Sequence, residues 1–310
     1  MKIFKPKFWA KKNSLIGFFL LPLSIFFQIL IFVKNKLSVK KNVSIPVICV
    51  GNIYIGGTGK TPLSIEIAKI LQNLNKKVAI IKKPYKEHYD EFGLIESNQV
   101  VLIKNASRYA AASHAVKDQY DCVILDDGFQ DLTINKNLNI ICFNDNQLIG
   151  NGMTLPSGPL RESLSSLKRC QVVVINGKTN LNFEKKIKNI SSDINIYYSS
   201  YLPTNIEKFK DKNLLAFAGI GNPENFFNLL KKNNLRISKK ISFPDHYSYT
   251  LKELNKLINF SLKNNLKLIT TEKDFFRIKH FKLPQIEYLK IGLKIHNRDN
   301  FKKEINKYLW

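Results

Sequence analysis

The chain has 310 residues, of which 49 are Lys or Arg and 24 are Asp or Glu, giving a formal net charge of +25. That length suits two cores, because a single core usually stops growing somewhat below it, and an apolar fraction of 44% without low-complexity tract, internal repeat or like-charge block excludes a disordered chain. The charge invites a nucleic-acid reading, but the sequence has no zinc-finger cysteine spacing, RNP aromatic signature or concentrated basic arm, so the lysines read as a diffuse surface drawn to anionic headgroups or phosphorylated substrates.

The first predicted element is apolar. Residues 14–33 read SLIGFFLLPLSIFFQILIFV, about the length that covers a bilayer core. Gln28 is the only strongly polar residue there besides Ser14 and Ser24. Lys2, Lys5, Lys7, Lys11 and Lys12 precede the run, and Lys34, Lys36, Lys40 and Lys41 follow it. A spanning helix prefers positive charge on one side. Charge on both sides, with Pro22 near the middle, fits a bent segment lying in one leaflet at least as well as a span, and a buried core helix is the third reading. No small-residue cleavage site stands in register, which argues against a removable signal peptide.

After Ser44 strands and helices alternate: IPVICV reads as a strand, LSIEIAKILQNL as an amphipathic helix, KVAIIK as a strand, followed by VVLI, YDCVILDD, LNIICFN and QVVVING. Continuous apolar strands separated by helices imply a parallel sheet covered on both faces. INIYYSSYLP and the charged IEKFKDKN read as a boundary. A second set runs from NLLAFAGIG through a helix over about Glu224 to Lys232, the strands LKLITT and QIEYLKIGL, and a final helix to Trp310. The expected fold is therefore two α/β/α sandwich domains, and the glycine-rich GGTGKT following the first strand makes the first a P-loop NTPase-like parallel sheet. Residues 1–40 form a hydrophobic, membrane-associated segment, 41–204 the P-loop domain and 205–310 a C-terminal α/β domain closing over the active site. Cys49, Cys122, Cys142 and Cys170 lie in or beside apolar runs without CxxC spacing and read as reduced core residues.

The chemistry centres on GNIYIGGTGKTPLSIEIAKIL, Gly51 to Leu71. A phosphate loop needs successive backbone N–H groups aimed at phosphate oxygens, a helix starting there, and a Lys and a hydroxyl at fixed offsets. Residues Tyr54, Ile55, Gly56, Gly57, Thr58, Gly59, Lys60 and Thr61 are the candidate ATP-binding run. Lys60 reaches the β- and γ-phosphates, the Thr61 hydroxyl ligates Mg²⁺, and Pro62 is harmless in a first helical turn. Tyr54 stands where the general G-x-x-x-x-G-K-[ST] pattern has Gly; Gly56 is the residue able to supply the permissive turn. YDCVILDDGFQD then offers Asp126 and Asp127 at a strand end, where carboxylates hold Mg²⁺ against phosphates; as a bare DD before Gly, the pair also fits a solvated turn.

With GGTGKTP, LDDGFQ and LPSGPLRES in this order, and FAGIGNPENFF, FPDHYSYT and TTEKD further on, the chain resembles the tetraacyldisaccharide 4'-kinases of lipid A biosynthesis from its apolar N-terminus to about residue 275. That family also opens its loop with the double Gly. The resemblance implies a two-domain, P-loop-derived protein on the cytosolic face of the inner membrane that moves the ATP γ-phosphate to the 4'-hydroxyl of a tetraacyldisaccharide 1-phosphate, giving lipid IVA, with ATP and Mg²⁺ and no obligate protein partner. It implies Lys60 and Thr61 at the phosphate and metal, Asp126, Asp127 and Glu162 around Mg²⁺, and Arg161 neutralising transferring charge. Asp90 in YDEFGLI corresponds to the family's general base and His246 in FPDHY to a partner that orients it; a solvated loop carboxylate is the other reading of Asp90. Gln130 is a candidate substrate contact and Arg108, at the helix start SRYAAA, a candidate phosphate contact. Two departures stand out: the family's Arg-Gly-Tyr run appears only as KKPYK, and Asp131 replaces the His that normally follows LDDGFQ.

These readings combine into one mechanism, in which the sugar enters a cleft between the domains and Asp90, helped by His246, takes the hydroxyl proton while positioning and charge neutralisation supply most of the acceleration. The alternative is a membrane-bound P-loop ATPase acting as a switch or partner-loading factor, with water as acceptor.

Overall fold

The buried run VICVG after Pro46 forms the central strand of a computed structural model that describes residues 6–84, 89–245 and 247–309. In chain order the elements are α1 (Leu15–Phe19), α2 (Leu21–Leu37), β1 (Val47–Gly51), α3 (Lys60–Gln72), β2 (Val78–Lys82), α4 (Tyr89–Ser97), β3 (Val101–Lys104), α5 (Arg108–Lys117) and β4 (Cys122–Asp126). Then come β5 (Leu138–Asn144), β6 (Val172–Asn176), α6 (Leu181–Lys188), β7 (Asn195–Pro203), β8 (Asn213–Ala218), α7 (Pro223–Lys232) and β9 (Arg236–Ser242). The chain finishes with α8 (Leu251–Lys263), β10 (Lys267–Thr271), α9 (Glu272–Ile278), β11 (Ile286–Leu289), β12 (Ile291–Ile295) and α10 (Arg298–Lys307).

The eight-stranded sheet has the order β12-β7-β6-β5-β1-β4-β2-β3, and the pairs from β7 through to β3 are parallel. Strands β1, β2, β4 and β6 are buried at every position, as a parallel sheet with both faces covered requires. The chain leaves β1 toward β2 on one side and later returns to β5 on the other. Beside β1 the order therefore reverses, and in such sheets the crevice at the carboxyl ends of the strands receives ligands. The four-stranded sheet, β11-β10-β8-β9, is parallel throughout.

The chain divides into two compact units, one holding 6–84, 99–200 and 293–309 among the described residues, the other 89–98, 201–245 and 247–292. The expected ranges 41–204 and 205–310 differ from this in three places. Helix α4 falls in the unit of the smaller sheet, and residues 293–309, with α10, fall in the unit of the larger one. INIYYSSYLP is a strand, β7, and the change of unit occurs within it.

The apolar N-terminal run breaks at Leu20, and Pro22 occupies the first turn of α2. The buried-helix reading fails here: Ser24 is the one buried residue of α2, while Leu15 and Phe19 are each 86% exposed. No helix of the described residues is long and apolar enough to cross a membrane. The polar residues within the run fasten it. Ser24 Oγ bonds Ser157 Oγ at 2.7 Å and the Thr154 carbonyl at 3.0 Å, and Gln28 Nε2 reaches the Arg161 carbonyl at 3.4 Å. The four cysteines are free and buried, and burial pushes the Cys122 and Cys170 thiols up to about 12, as inert core thiols require.

Candidate active site

The loop after β1 is held by a residue that the pattern does not contain. Asn52 is fully buried, and its side-chain nitrogen lies 2.6 Å from the Tyr54 carbonyl, 3.1 Å from the Gly56 carbonyl and 3.0 Å from Thr58 Oγ1. Gly56 takes φ +115° and Gly59 φ +97°, in the region open to glycine. Gly56 is thus the turn that offsets Tyr54. A Cβ on Gly57 meets no atom within 4 Å. Packing does not demand glycine there, so the missing side chain leaves room for something outside the chain. Tyr54 and Ile55 serve the loop's base: Tyr54 is in the core cluster with Phe129 and Leu160, and the Ile55 N–H donates to the Pro159 carbonyl at 2.9 Å.

Gly59 is the N-cap of α3, which buries Leu63, Ile67, Ile70 and Leu71 and ends where Asn75 turns left-handed at φ +58°. About 1.5 to 3 kcal/mol per buried aliphatic side chain fixes this helix against the sheet, and with it Lys60 and Thr61 in its first turn. Register carries the acids to the same edge, since Val50 pairs with Asp126 and Ile81 with Leu125. Asp126, fully buried, accepts from Thr61 Oγ1 at 2.9 Å, Ser64 Oγ at 3.4 Å and Lys82 Nζ at 2.5 Å.

Asp127 follows in the left-handed region at φ +56°, its N–H donating to the Val50 carbonyl at 2.9 Å. Its carboxylate accepts from Arg161 Nη1 at 2.9 and 3.1 Å and lies 3.7 Å from Lys60 Nζ. Burial pushes this carboxyl up, but Lys60, Arg161 and Lys82 outweigh it and hold it below its ordinary value. These bonds replace the solvated-turn reading of DDG. Gln130 bonds the Asn52 carbonyl at 3.0 Å and Arg161 at 3.4 Å. Arg108, buried, donates to the Asp127 carbonyl at 2.6 Å and to Asp131 at 2.8 Å.

Asp131 also meets Lys83 Nζ at 3.2 Å and Thr133 Oγ1 at 2.6 Å. Burial raises its proton affinity, yet the bonds from Thr133 and Arg108 hold its carboxyl far below the usual carboxylate range. The negative charge of Asp131 is therefore balanced locally.

Of the sequence-derived residues, Lys60, Asp127, Arg161, Gln130 and Arg108 are joined in one bonded set and Thr61 with Asp126 in a second, the two meeting where Asp126 and Asp127 follow each other in the chain. Glu162 is not part of either: it is buried and pairs with Arg169 rather than with Arg161. No group of three His, Cys, Asp or Glu side chains able to hold a metal forms among the described residues, so Asp126, Asp127 and Glu162 are not gathered as a trio. One or two carboxylates with a hydroxyl still match the way Mg²⁺ is held, since it takes most of its remaining ligands from phosphate and water. Asp90 lies in the other unit, on α4. It is fully buried and bonded to Arg277 Nη2 at 2.6 Å, so the solvated-loop reading is overturned. His246 lies outside the described residues. Sequence reasoning missed Asn52, Lys82 and Arg277. The one local signal was Lys82, a charge closing the apolar strand VAIIK.

A glycine-lined turn running from a central parallel strand into a helix, with Lys-Thr facing an acid on the neighbouring strand, defines the P-loop class of phosphate-binding α/β proteins. Residues 16–309 match the family model described as Tetraacyldisaccharide-1-P 4'-kinase, and the chain belongs to that family. It is 43% identical over 311 residues to the tetraacyldisaccharide 4'-kinase of Pelagibacter ubique, covering 99% of this chain and 98% of the relative. The corresponding figures for the Rickettsia akari protein of the same name are 32% over 326 residues, 99% and 98%. In fold it is similar to the crystal structure of LpxK from Aquifex aeolicus in complex with ATP, with a TM-score of 0.75 at 24% identity over 96% of this chain and 100% of that one.

Proposed function

We propose that this chain is a tetraacyldisaccharide 4'-kinase, transferring the γ-phosphoryl group of ATP to the 4'-hydroxyl of a tetraacyldisaccharide 1-phosphate in lipid A biosynthesis. The observation that carries the reading is the bonded set Lys60–Asp127–Arg161 beside Thr61–Asp126, in a chain matching the kinase family over residues 16–309. Bound Mg·ATP supplies the phosphoryl group and a divalent charge on its oxygens. The residues present fit it, since the Gly57 position is open and Thr61 and Asp126 offer a hydroxyl and a carboxylate side by side.

Within this reading Lys60 and Arg161 bind the phosphates, exchanging Asp127 for phosphate oxygens of like charge. Thr61, Asp126 and Asp127 hold the metal side, and Lys82 keeps Asp126 compensated. Arg108, tied to Asp131, and Gln130 orient the loop that faces the acceptor. Asp90 accepts the acceptor hydroxyl's proton, and His246 assists it. The exposed apolar residues of α1 and α2, near Lys11, Lys12, Lys34 and Lys36, rest on the cytoplasmic face of the inner membrane, where the acyl chains of the substrate are found. No second protein is required.

The test is transfer of labelled γ-phosphate from ATP in the presence of the diacylated-glucosamine disaccharide 1-phosphate. Label in the lipid supports the kinase; inorganic phosphate alone would restore the switch ATPase, which the full-length family match disfavours.

A further inference from the structure

Arg277 is the residue on which Asp90 depends. Asp90 is fully buried, and a buried carboxylate without a counter-charge is strongly disfavoured. Its Oδ2 accepts from Arg277 Nη2 at 2.6 Å, while its Oδ1, also buried, has no hydrogen-bond partner among the described residues. One oxygen is thus fixed and the other retains an open lone pair. That division suits a group that must hold its orientation and still accept a proton.

The far side of the guanidinium is fastened in turn. Arg277 Nη1 donates to the Gly219 carbonyl at 2.6 Å and to Asp274 Oδ1 at 2.9 Å. Asp274, fully buried, accepts from the Gly219 N–H at 3.0 Å, Tyr249 OH at 2.9 Å and Thr271 Oγ1 at 2.6 Å. The backbone carriers are locked as well. A Cβ on Gly93 of α4 stands 2.6 Å from the Phe276 ring of α9, so only glycine allows the helices this approach, and Lys273 pairs with Glu91 at 3.0 Å one residue along from Asp90.

We infer that Arg277 is a positioning residue of the transfer reaction: anchored by Asp274 and the Gly219 carbonyl, it orients the Asp90 carboxylate through Oδ2 and leaves Oδ1 to receive the acceptor's proton. The inference rests on Asp90 being the general base proposed above.

Steady-state transfer by the full chain, with ATP and a tetraacyldisaccharide 1-phosphate, tests both statements separately. Asp90→Asn is expected to lower kcat by about 100-fold or more. Arg277→Ala is expected to lower kcat by at least about tenfold with KM for ATP unchanged, and Arg277→Lys to restore most of it. The decisive measurement is the double variant, in which Arg277→Ala added to Asp90→Asn causes no further loss, because a positioning effect vanishes with the group positioned. Losses that multiply, or an unchanged kcat in Arg277→Ala beside an inactive Asp90→Asn, would overturn the role of Arg277. Full activity of Asp90→Asn would remove the base itself. If Arg277→Ala fails to fold, Arg277→Gln carries the same cycle, since it retains a donor without the charge.

Discussion

Lys60, Arg161 and Asp127 form a cluster that water reaches, with side-chain exposures of 13%, 28% and 27%, whereas the carboxylates of Asp90 and Asp274 are at 0% on either side of Arg277. Both clusters pair opposite charges, but the first does so with contacts partly open to water. The second does so with bonds for which water offers no substitute. Charge at the edge of the larger sheet is therefore open to exchange, and charge around Arg277 is closed off from water.

The comparison is broken most readily by the largest effect it implies. Asp274→Ala removes one of the two anchors of Arg277 and leaves the buried Gly219 N–H and Tyr249 OH without their acceptor, and unfolding in urea should report a loss of about 3 to 5 kcal/mol; a loss below about 1 kcal/mol would show that the closed cluster is not structural. Lys60→Ala should do the opposite, reducing transfer by about 100-fold or more while the urea midpoint moves by no more than about 1 kcal/mol. A large loss of stability in that variant would make the open cluster as structural as the closed one. Thr271→Ala sharpens the contrast, because Thr271 both caps α9 and bonds Asp274, and about 1 to 2 kcal/mol of stability should go with it.

The smallest effect at neutral pH appears in acid. The Asp131 carboxyl lies below its ordinary value of 3.8 in the folded chain, so the stability it contributes is complete above that value and is lost as pH falls through the folded one. Asp131→Asn should therefore be less stable than the parent near about pH 6, with the gap narrowing by up to about 1.4 kcal/mol per pH unit below about pH 4. Urea midpoints at several pH values measure it, and a gap independent of pH would mean that Arg108 and Thr133 are not what stabilises the charged form.

Much of the phosphate side was legible because its residues are neighbours in sequence and their offsets carry the chemistry. GGTGKTP announces a turn, a helix start, a cation and a hydroxyl, and VILDD ends a strand on two acids. What was not legible depends on distance along the chain. Lys82 finds Asp126 44 residues on, and Arg277 finds Asp90 across 187; no local pattern encodes either meeting. Asn52 was overlooked because an Asn after a strand reads as an ordinary turn residue, although its amide fastens three points of the loop. The placing of α4 with the smaller sheet likewise followed from packing against α9, through Gly93 and Phe276, and not from composition. Glu162, which the resemblance grouped with Arg161, pairs with Arg169 while Arg161 pairs with Asp127, and no adjacency in sequence announces that split.

The moorings of α2 through Ser24 and Gln28 have one more implication. A detached greasy helix would sink to whatever depth its oiliness favours, but one pinned to the turn before Arg161 fixes the height at which that arginine's backbone rides above any oily phase the helix wets. Shaving the outer ridge of α2 should then leave the chemistry in free solution untouched and alter only how turnover scales as substrate is diluted among inert detergent.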